Sequence, residues 1–424
     1  MTTTKNNEHQ KLNFSNEREQ SQACLNSAEH EKNQGRKVLN VPNLRFPEFK
    51  GEWEKCKLGD LCNVLMCKRI LASQTNTEEG VPFYKIGTIG NAPDAYISKE
   101  LFDDYKTKYN YPHKGEVMIT CAGTVGKCVI YDGKDAYYQD SNIVWIDNPS
   151  QCISNSFLYH LLAKVDWRKL NSTTIIRIYN DDLRNLKLSY PQIEEQQKIS
   201  RLLSFLDERI ATQSKIIEDL KKLKSAIVDY VINSLDADFV KFSSLYEMAG
   251  EGGTPTTSND SFYNNGNIPF VKIDDLKQKY LTVNKDFITE LGLHKSSAWL
   301  VPTRSILFSN GATIGEITIT TYPVCTKQGI LGIVPVPNVD VEFLYYFMSS
   351  SYFKKVVSRI VTEGTMKTAY LKDINNILCP LPTKDKQQNI AKMPSALNTK
   401  IDIEQSILNQ LNIQKQYLFR QMFI

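Results

Sequence analysis

The chain has no run of apolar residues approaching the roughly 18 needed to cross a bilayer. Its opening stretch, MTTTKNNEHQKLNFSNEREQ, has no apolar core of the kind a secretory leader carries. A cytoplasmic protein with no membrane association is expected. The nine cysteines are odd in number and form no C-x-x-C. The close spacings Cys62/Cys67 and Cys121/Cys128 match no zinc pattern, so buried free thiols are expected and no metal.

Catalytic signatures are also missing. No G-x-x-x-x-G-K-[S/T] occurs. GTVGK at 123–127 ends like one, but Cys121 stands where its first glycine should be and Cys128 follows the lysine. There is no G-x-G-x-x-G, hence no support for a dinucleotide fold. No Pro-Pro dipeptide exists, which removes the Asn/Asp-Pro-Pro-aromatic motif of amino-methyltransferases. The five histidines, His9, His30, His113, His160 and His294, lie in no cluster at ligand spacing. A catalyst acting alone is not expected. Nor is the charge decisive. Net charge is +4 over 424 residues, and residues 51–190 hold 17 basic against 17 acidic side chains. If the partner is nucleic acid, positive charge must be local or supplied by other subunits.

What is present is a duplication. A shift of 191 residues superimposes EEQQKI at 194–199 on DKQQNI at 385–390. The register continues without a gap from Pro191 on Pro382 to Ile227 on Leu418. Upstream, VPFYKIGTI at 81–89 matches IPFVKIDDL at 268–276, GEVMITCAGTVGK at 115–127 parallels RSILFSNGATIGE at 304–316, and KLGDL at 57–61 parallels KFSSL at 241–245. The unit is a domain of about 140 residues followed by a helix of about 40, and it occurs twice. The expected boundaries are a disordered polar tail over 1–40, a first domain over 41–190, a helical spacer over 191–235, a second domain over 236–380 and a second helical spacer over 381–424.

Both spacers repeat every seven residues. In the first, Ile199, Leu206, Gln213, Leu220 and Ile227 share one position, and Leu203, Ile210, Ile217, Lys224 and Val231 fall four later. In the second the positions are Ile390, Leu397, Glu404, Leu411 and Leu418, then Pro394, Ile401, Leu408, Lys415 and Met422. This is an a/d seam, polar at matched places, and it predicts that the helices pair with each other. Pro394 should remove a hydrogen bond or kink its helix. The domains read as mixed α/β, with strands at GEVMIT, CVIYDG and NIVWID and helices over 155–170 and 341–357.

The stretches GGTPTTSNDSFY, IPFVKIDDL, NGATIG, KQG, LKDINNILCPLP and DKQQNI together resemble the specificity subunit of type I restriction–modification systems, over roughly residues 41–424. VPNLRFPEFKGEWEKCKLGDL at 41–61 is similar to the usual lead-in of its Gram-positive members. The resemblance implies an α+β protein: two tandem mixed α/β target recognition domains, separated and followed by long helices that pair as an antiparallel coiled coil with internal pseudo-two-fold symmetry. It implies a non-catalytic subunit that reads a bipartite, asymmetric site in double-stranded DNA. Two methyltransferase subunits holding S-adenosylmethionine and a translocating nuclease subunit using ATP and Mg would be the partners, and this chain would bind no cofactor itself. A helix of about 39 residues spans roughly 58 Å, on the order of one to two turns of DNA.

Loop position nominates DNA-contacting residues: Lys68, Arg69, Lys85, Thr88, Asn91, Thr124, Arg177 and Tyr179 in the first domain, and Thr254, Thr256, Lys272, Asp274, Asn310, Thr313, Lys327, Gln328 and Lys367 in the second. For any one of them an ordinary turn is the competing reading. The competing reading of the whole chain is an assembly scaffold whose domains bind proteins.

Overall fold

The computed structural model describes residues 39–170, 177–311, 313–361 and 367–424. All but the last two residues of the expected tail, 1–40, lie outside the described residues. Of these two, Leu39 is exposed and Asn40 is not tail-like. Asn40 is buried, and its amide donates to the Trp53 carbonyl (2.6 Å) while its own carbonyl accepts from the Trp53 N–H (2.8 Å).

Internal contacts divide the chain within its long helices, at 207/208 and 412/413, rather than where the domains were expected to end. In the first unit, strand Glu54–Lys57 pairs antiparallel with Lys187–Tyr190 and closes the domain on itself. A four-stranded antiparallel sheet runs in the order Asn63–Leu65, Ile143–Asp147, Val117–Thr120, Cys128–Ile130. The two central strands, IVWID and VMIT, are rich in β-branched and aromatic residues and almost wholly buried, as a strand covered on both faces should be. Beside this sheet, Val81–Tyr84 lies between Tyr96–Ile97 and the parallel strand Tyr137–Tyr138. Helix Asn155–Lys164 is started by Ser154, whose hydroxyl accepts from the Phe157 N–H. It ends ahead of the expected 170, and a separate short helix covers Trp167–Leu170.

In the second unit, Phe239–Lys241 pairs with Leu378–Pro380. The main sheet has five strands, in the order Tyr246–Glu251, Ile330–Pro335, Ile306–Ser309, Ile317–Thr320, Tyr280–Leu281. The last is parallel to its neighbour and has no counterpart in the first unit's sheet. Ile268–Val271 lies between Asp286–Ile288 and the parallel Cys325–Thr326, as in the first unit. The helix expected over 341–357 is two helices, Val341–Ser349 and Ser351–Ile360. Ser350 divides them: it is extended, buried, and its hydroxyl accepts from the Phe353 N–H.

The long helices are Ile193–Asn233 and Lys384–Met422. Every position of the seven-residue seam in both is buried or half-buried. Pro394 neither ends nor divides its helix; it is buried, three turns from the start, where packing outweighs one missing hydrogen bond. In the second unit Gln213 donates its side-chain amide to the Glu404 carbonyl (3.1 Å) and carboxylate. As the contact moves from Gln213 toward the C-terminus of the first helix, to Lys224, its partner moves from Glu404 toward the N-terminus of the second, to Asn398, so the helices run antiparallel. Lys224 donates to Asn398 (3.0 Å) in the second unit. Its counterpart, Lys415, pairs with Asp207 in the first.

The chain's last turn fills the first core. Phe423 stacks on Phe157 (5.2 Å between centroids) and sits edge-on to Trp53 (6.5 Å). Its counterpart Ile232, with Val228, fills the second core in the same way.

EEQQKI and DKQQNI resolve into a buried clamp. The Gln196 carbonyl oxygen accepts from the Ser154 N–H (2.8 Å), and its amide donates to the Cys152 and Pro191 carbonyls (2.8 Å each). Gln387 accepts from the Asp340 N–H (2.7 Å) and donates to Asn338 (3.1 Å) and Pro382 (2.8 Å). Each fastens the loop before a domain helix to the first turn of a long helix. Replacing either by Ala strands buried backbone groups and should cost about 2–3 kcal/mol, read as a lowered urea midpoint, whereas Gln197→Ala, at an exposed neighbour, should change nothing.

His160 is buried in the first unit; one ring nitrogen approaches the Ser204 hydroxyl (3.5 Å) and the other, Nδ1, has no partner. Burial holds its pKa down at about 4, with Lys415 adding to this and Asp207 opposing. The unfolded chain therefore takes up the proton first, and stability falls as pH drops from about 6.5 toward 4. The second copy has Tyr346 there, bonded to Ser395 (3.1 Å). His160→Tyr should flatten the pH dependence of the melting temperature across that window.

Candidate nucleic-acid interface

In each unit the strand ends converge on one set of loops held by the same hydrogen bonds. In the first, Cys121 accepts from the Ile178 N–H (2.9 Å) and donates to the Asn142 carbonyl (2.7 Å) through its backbone. In the second, Asn310, the equivalent residue, accepts from Ala369 (2.9 Å) and donates to Gly329 (3.0 Å). The following turn is also shared. Thr120 and Ser309 each accept, on their hydroxyls, the backbone N–H of the residue that ends it, Lys127 (3.0 Å) and Glu316 (2.8 Å). After the matched Pro-Phe strands of the two copies, Thr88 caps the Lys85 N–H (3.0 Å) and Asp275 caps that of Lys272 (2.9 Å). The Lys85 ammonium then pairs with Asp94 (3.0 Å) and that of Lys272 with Asp286 (2.9 Å).

This frame assembles the nominated residues. In the first unit the Thr124 hydroxyl donates to the Ile86 carbonyl (3.1 Å), joining loop 121–127 to loop 85–91, which holds Lys85, Thr88 and Asn91. Arg177 donates to the Ser141 carbonyl (3.2 Å), and its guanidinium lies 5.9 Å from the Tyr179 ring, itself 62% exposed. Arg69 faces Asp140 (3.9 Å), and the Lys68 carbonyl accepts from the Tyr137 hydroxyl (3.0 Å). All eight first-domain residues fall in this one group of loops.

In the second unit the Thr254 hydroxyl accepts from the Gln328 N–H (3.2 Å), and Glu251 accepts from that of Gly329 (2.9 Å). Loop 251–254 lies so close to loop 326–329 that a Cβ on Gly252 would stand 2.2 Å from the Thr326 carbonyl oxygen. Lys327, Gln328 and Lys367 are exposed, and so are Thr256 and Thr313. Asp274 is exposed and paired to Lys277 (3.1 Å).

Two nominated residues serve the frame instead. Asn310 is 1% exposed, and its side-chain amide donates to Ala369 (3.2 Å). It holds the loops together and does not present its side chain to a ligand; the polar type had suggested the reverse. Thr88 spends its hydroxyl on a cap. Asp140 and Glu251 had not been singled out.

Lysine, arginine, threonine, glutamine and tyrosine are exposed on these loops, with carboxylates beside several cations, so the surface is polar rather than strongly basic. Burial pushes the Cys121 and Cys128 thiols up to about 12, which leaves them protonated and poor nucleophiles at neutral pH. Among the described residues no group of three metal-ligating side chains exists, and no helix is long and apolar enough to cross a membrane.

The family model for the "Type I restriction modification DNA specificity domain" matches twice, over residues 50–222 and 236–412. The chain belongs to this family. Within it, the chain is 49% identical over 184 residues to a relative named as the specificity subunit S.HindORF215P of Haemophilus influenzae, a match covering 43% of this chain and 45% of that one. The chain thus spans about half the length of that relative. It is 23% identical over 400 residues to the type I restriction enzyme MjaVIII specificity subunit of Methanocaldococcus jannaschii, covering 88% of this chain and 92% of that one. The fold is that of the type I S subunit of M. genitalium, at a TM-score of 0.58 and 17% identity over 91% of this chain and 99% of the other. The two family matches are the two halves of the duplication, so the shared loop frame is one specificity domain built twice.

Gly252→Ala should cost about 1–3 kcal/mol through overpacking. The check is limited proteolysis, which should cut sooner within 251–263 while leaving the first unit's fragments unchanged.

Proposed function

We propose that this chain is the non-catalytic DNA-reading subunit of a type I restriction–modification complex. It reads a bipartite, asymmetric target in double-stranded DNA, one half-site per specificity domain, with the gap set by the paired helices. The observation that carries this reading is the repeated frame with unlike contents. The same backbone bonds hold both loop sets, while the side chains they present differ: Lys68, Arg69 and Arg177 in one, Thr254, Lys327 and Gln328 in the other. A shared scaffold with different exposed donors and acceptors is what two reading heads for different bases require. Both domains are close to charge balance, and affinity then needs phosphate contacts from partner subunits.

Those partners are two methyltransferase subunits, which hold S-adenosylmethionine and flip the target adenine, and a nuclease subunit using ATP and Mg. The long helices offer them a surface. Ile216, Leu223 and Tyr230 recur every seven residues on the first helix and are 40%, 48% and 74% exposed, away from the seam. Such a second apolar stripe suits a partner helix. The site of action is the cytoplasm, where the DNA lies.

Co-expression with the neighbouring methyltransferase followed by methylome sequencing tests the reading. A single two-part motif with adenine methylation and a fixed gap is the expected result. A stable complex that methylates no defined motif would favour the assembly scaffold.

A further inference from the structure

The second unit contains a buried cation that the functional reading does not use. Lys279 precedes the two-residue strand Tyr280–Leu281, and its side chain is 2% exposed. Its ammonium donates to the Ser395 hydroxyl (2.9 Å) and pairs with the Glu342 carboxylate. The rings of Tyr280 and Tyr346 lie 4.8 Å from it. The same residue's backbone carbonyl accepts from the Ile319 N–H (2.8 Å) and the Thr318 hydroxyl (3.2 Å). One residue therefore joins the edge of the main sheet, the start of helix Val341–Ser349 and the C-terminal long helix.

What Lys279 terminates is the loop after Ile268–Val271, which carries Lys272 and Asp274. The equivalent loop of the first unit, between Tyr84 and Tyr96, is four residues shorter than that between Val271 and Phe287 and has no strand matching Tyr280–Leu281. The insertion is thus particular to the second reading head. Two residues of strand hold little by themselves. A buried ion pair with tyrosine faces around the cation fixes geometry where a few backbone bonds would not.

We propose that Lys279 is a positioning residue for second-half-site recognition: it latches the Lys272–Lys277 segment to the C-terminal long helix through Ser395 and to helix Val341–Ser349 through Glu342. The proposal rests on the DNA-reading function above. Its consequence is local. Losing the latch should let this loop shift relative to the DNA groove, blurring the bases read by the second domain while the first domain's reading stays as it was.

The test uses the full chain in complex with its partner methyltransferase. Methylation is measured on duplexes bearing the wild-type motif or one mismatch in either half-site. Lys279→Met, which fills the space without a charge, should lower the matched-to-mismatched ratio for the second half-site on the order of ten-fold, the discrimination of about one base contact. The first half-site ratio should not move. Ser395→Ala, which keeps the ion pair and the fold, should shift the same ratio in the same direction by a smaller factor, and it decides the matter if Lys279→Met fails to fold. A purely structural role would lower the melting temperature and overall activity without separating the half-sites. Unchanged ratios, or equal losses at both half-sites, would overturn the latch while leaving the reading function intact. A wild-type complex with no two-part motif would overturn both.

Discussion

The architecture depends on one buried side chain used twice. Gln196 and Gln387 are sealed from water, and each satisfies three backbone groups at the junction of a domain and a long helix. A buried amide left unpaired is costly, and one that is fully paired fixes geometry. The clamp fastens each domain to the first turn of the helix that follows it. The antiparallel strand pairs Glu54–Lys57 with Lys187–Tyr190 and Phe239–Lys241 with Leu378–Pro380 support it by bringing each domain's ends together beside the clamp. In the first unit the bidentate pair of Arg45 with buried Glu195 (2.8 and 2.7 Å) adds the lead-in segment to the same junction.

From that junction outward, the duplication separates what must be constant from what may vary. The constant part is the frame: the backbone bonds of Cys121 and Asn310, and the backbone N–H groups capped by the side chains of Thr88/Asp275 and Thr120/Ser309. The variable part is the side chains on top. Even the polar seam follows this logic. Lys415 meets Asp207 directly, whereas Lys224 meets Asn398, and the carboxylate sits one turn further on at Asp402, which Asn398 contacts (3.1 Å). Charge is compensated in both, by different residues.

Much of this was legible in the sequence, and the reason is periodicity. The 191-residue shift and the seven-residue seam are patterns that burial imposes on composition, and each seam position is in fact shielded. The frame strands could be read because they are short, apolar and bounded by glycine. Other features were opaque because one residue type serves opposite roles. Gln196 was legible only as a matched polar position of the duplication, and it is a buried clamp. Asn310 looked like a ligand donor and is a strut. Pro394 was expected to remove a hydrogen bond or kink its helix, and the helix continues through it. The latch at Lys279 depends on a partner 116 residues away, which no local window includes.

The central claim is that the frame is common property and the bases read are carried by the segment it encloses. The most direct measurement is the methylome of a chimera in which Phe239–Pro380 is replaced by a second copy of Glu54–Tyr190, joined through the equivalent strand partners. The account predicts a two-part motif whose second half now carries the bases of the first half-site. Persistence of the original second half-site, or loss of any motif from a chimera that folds and binds its methyltransferase, would contradict it.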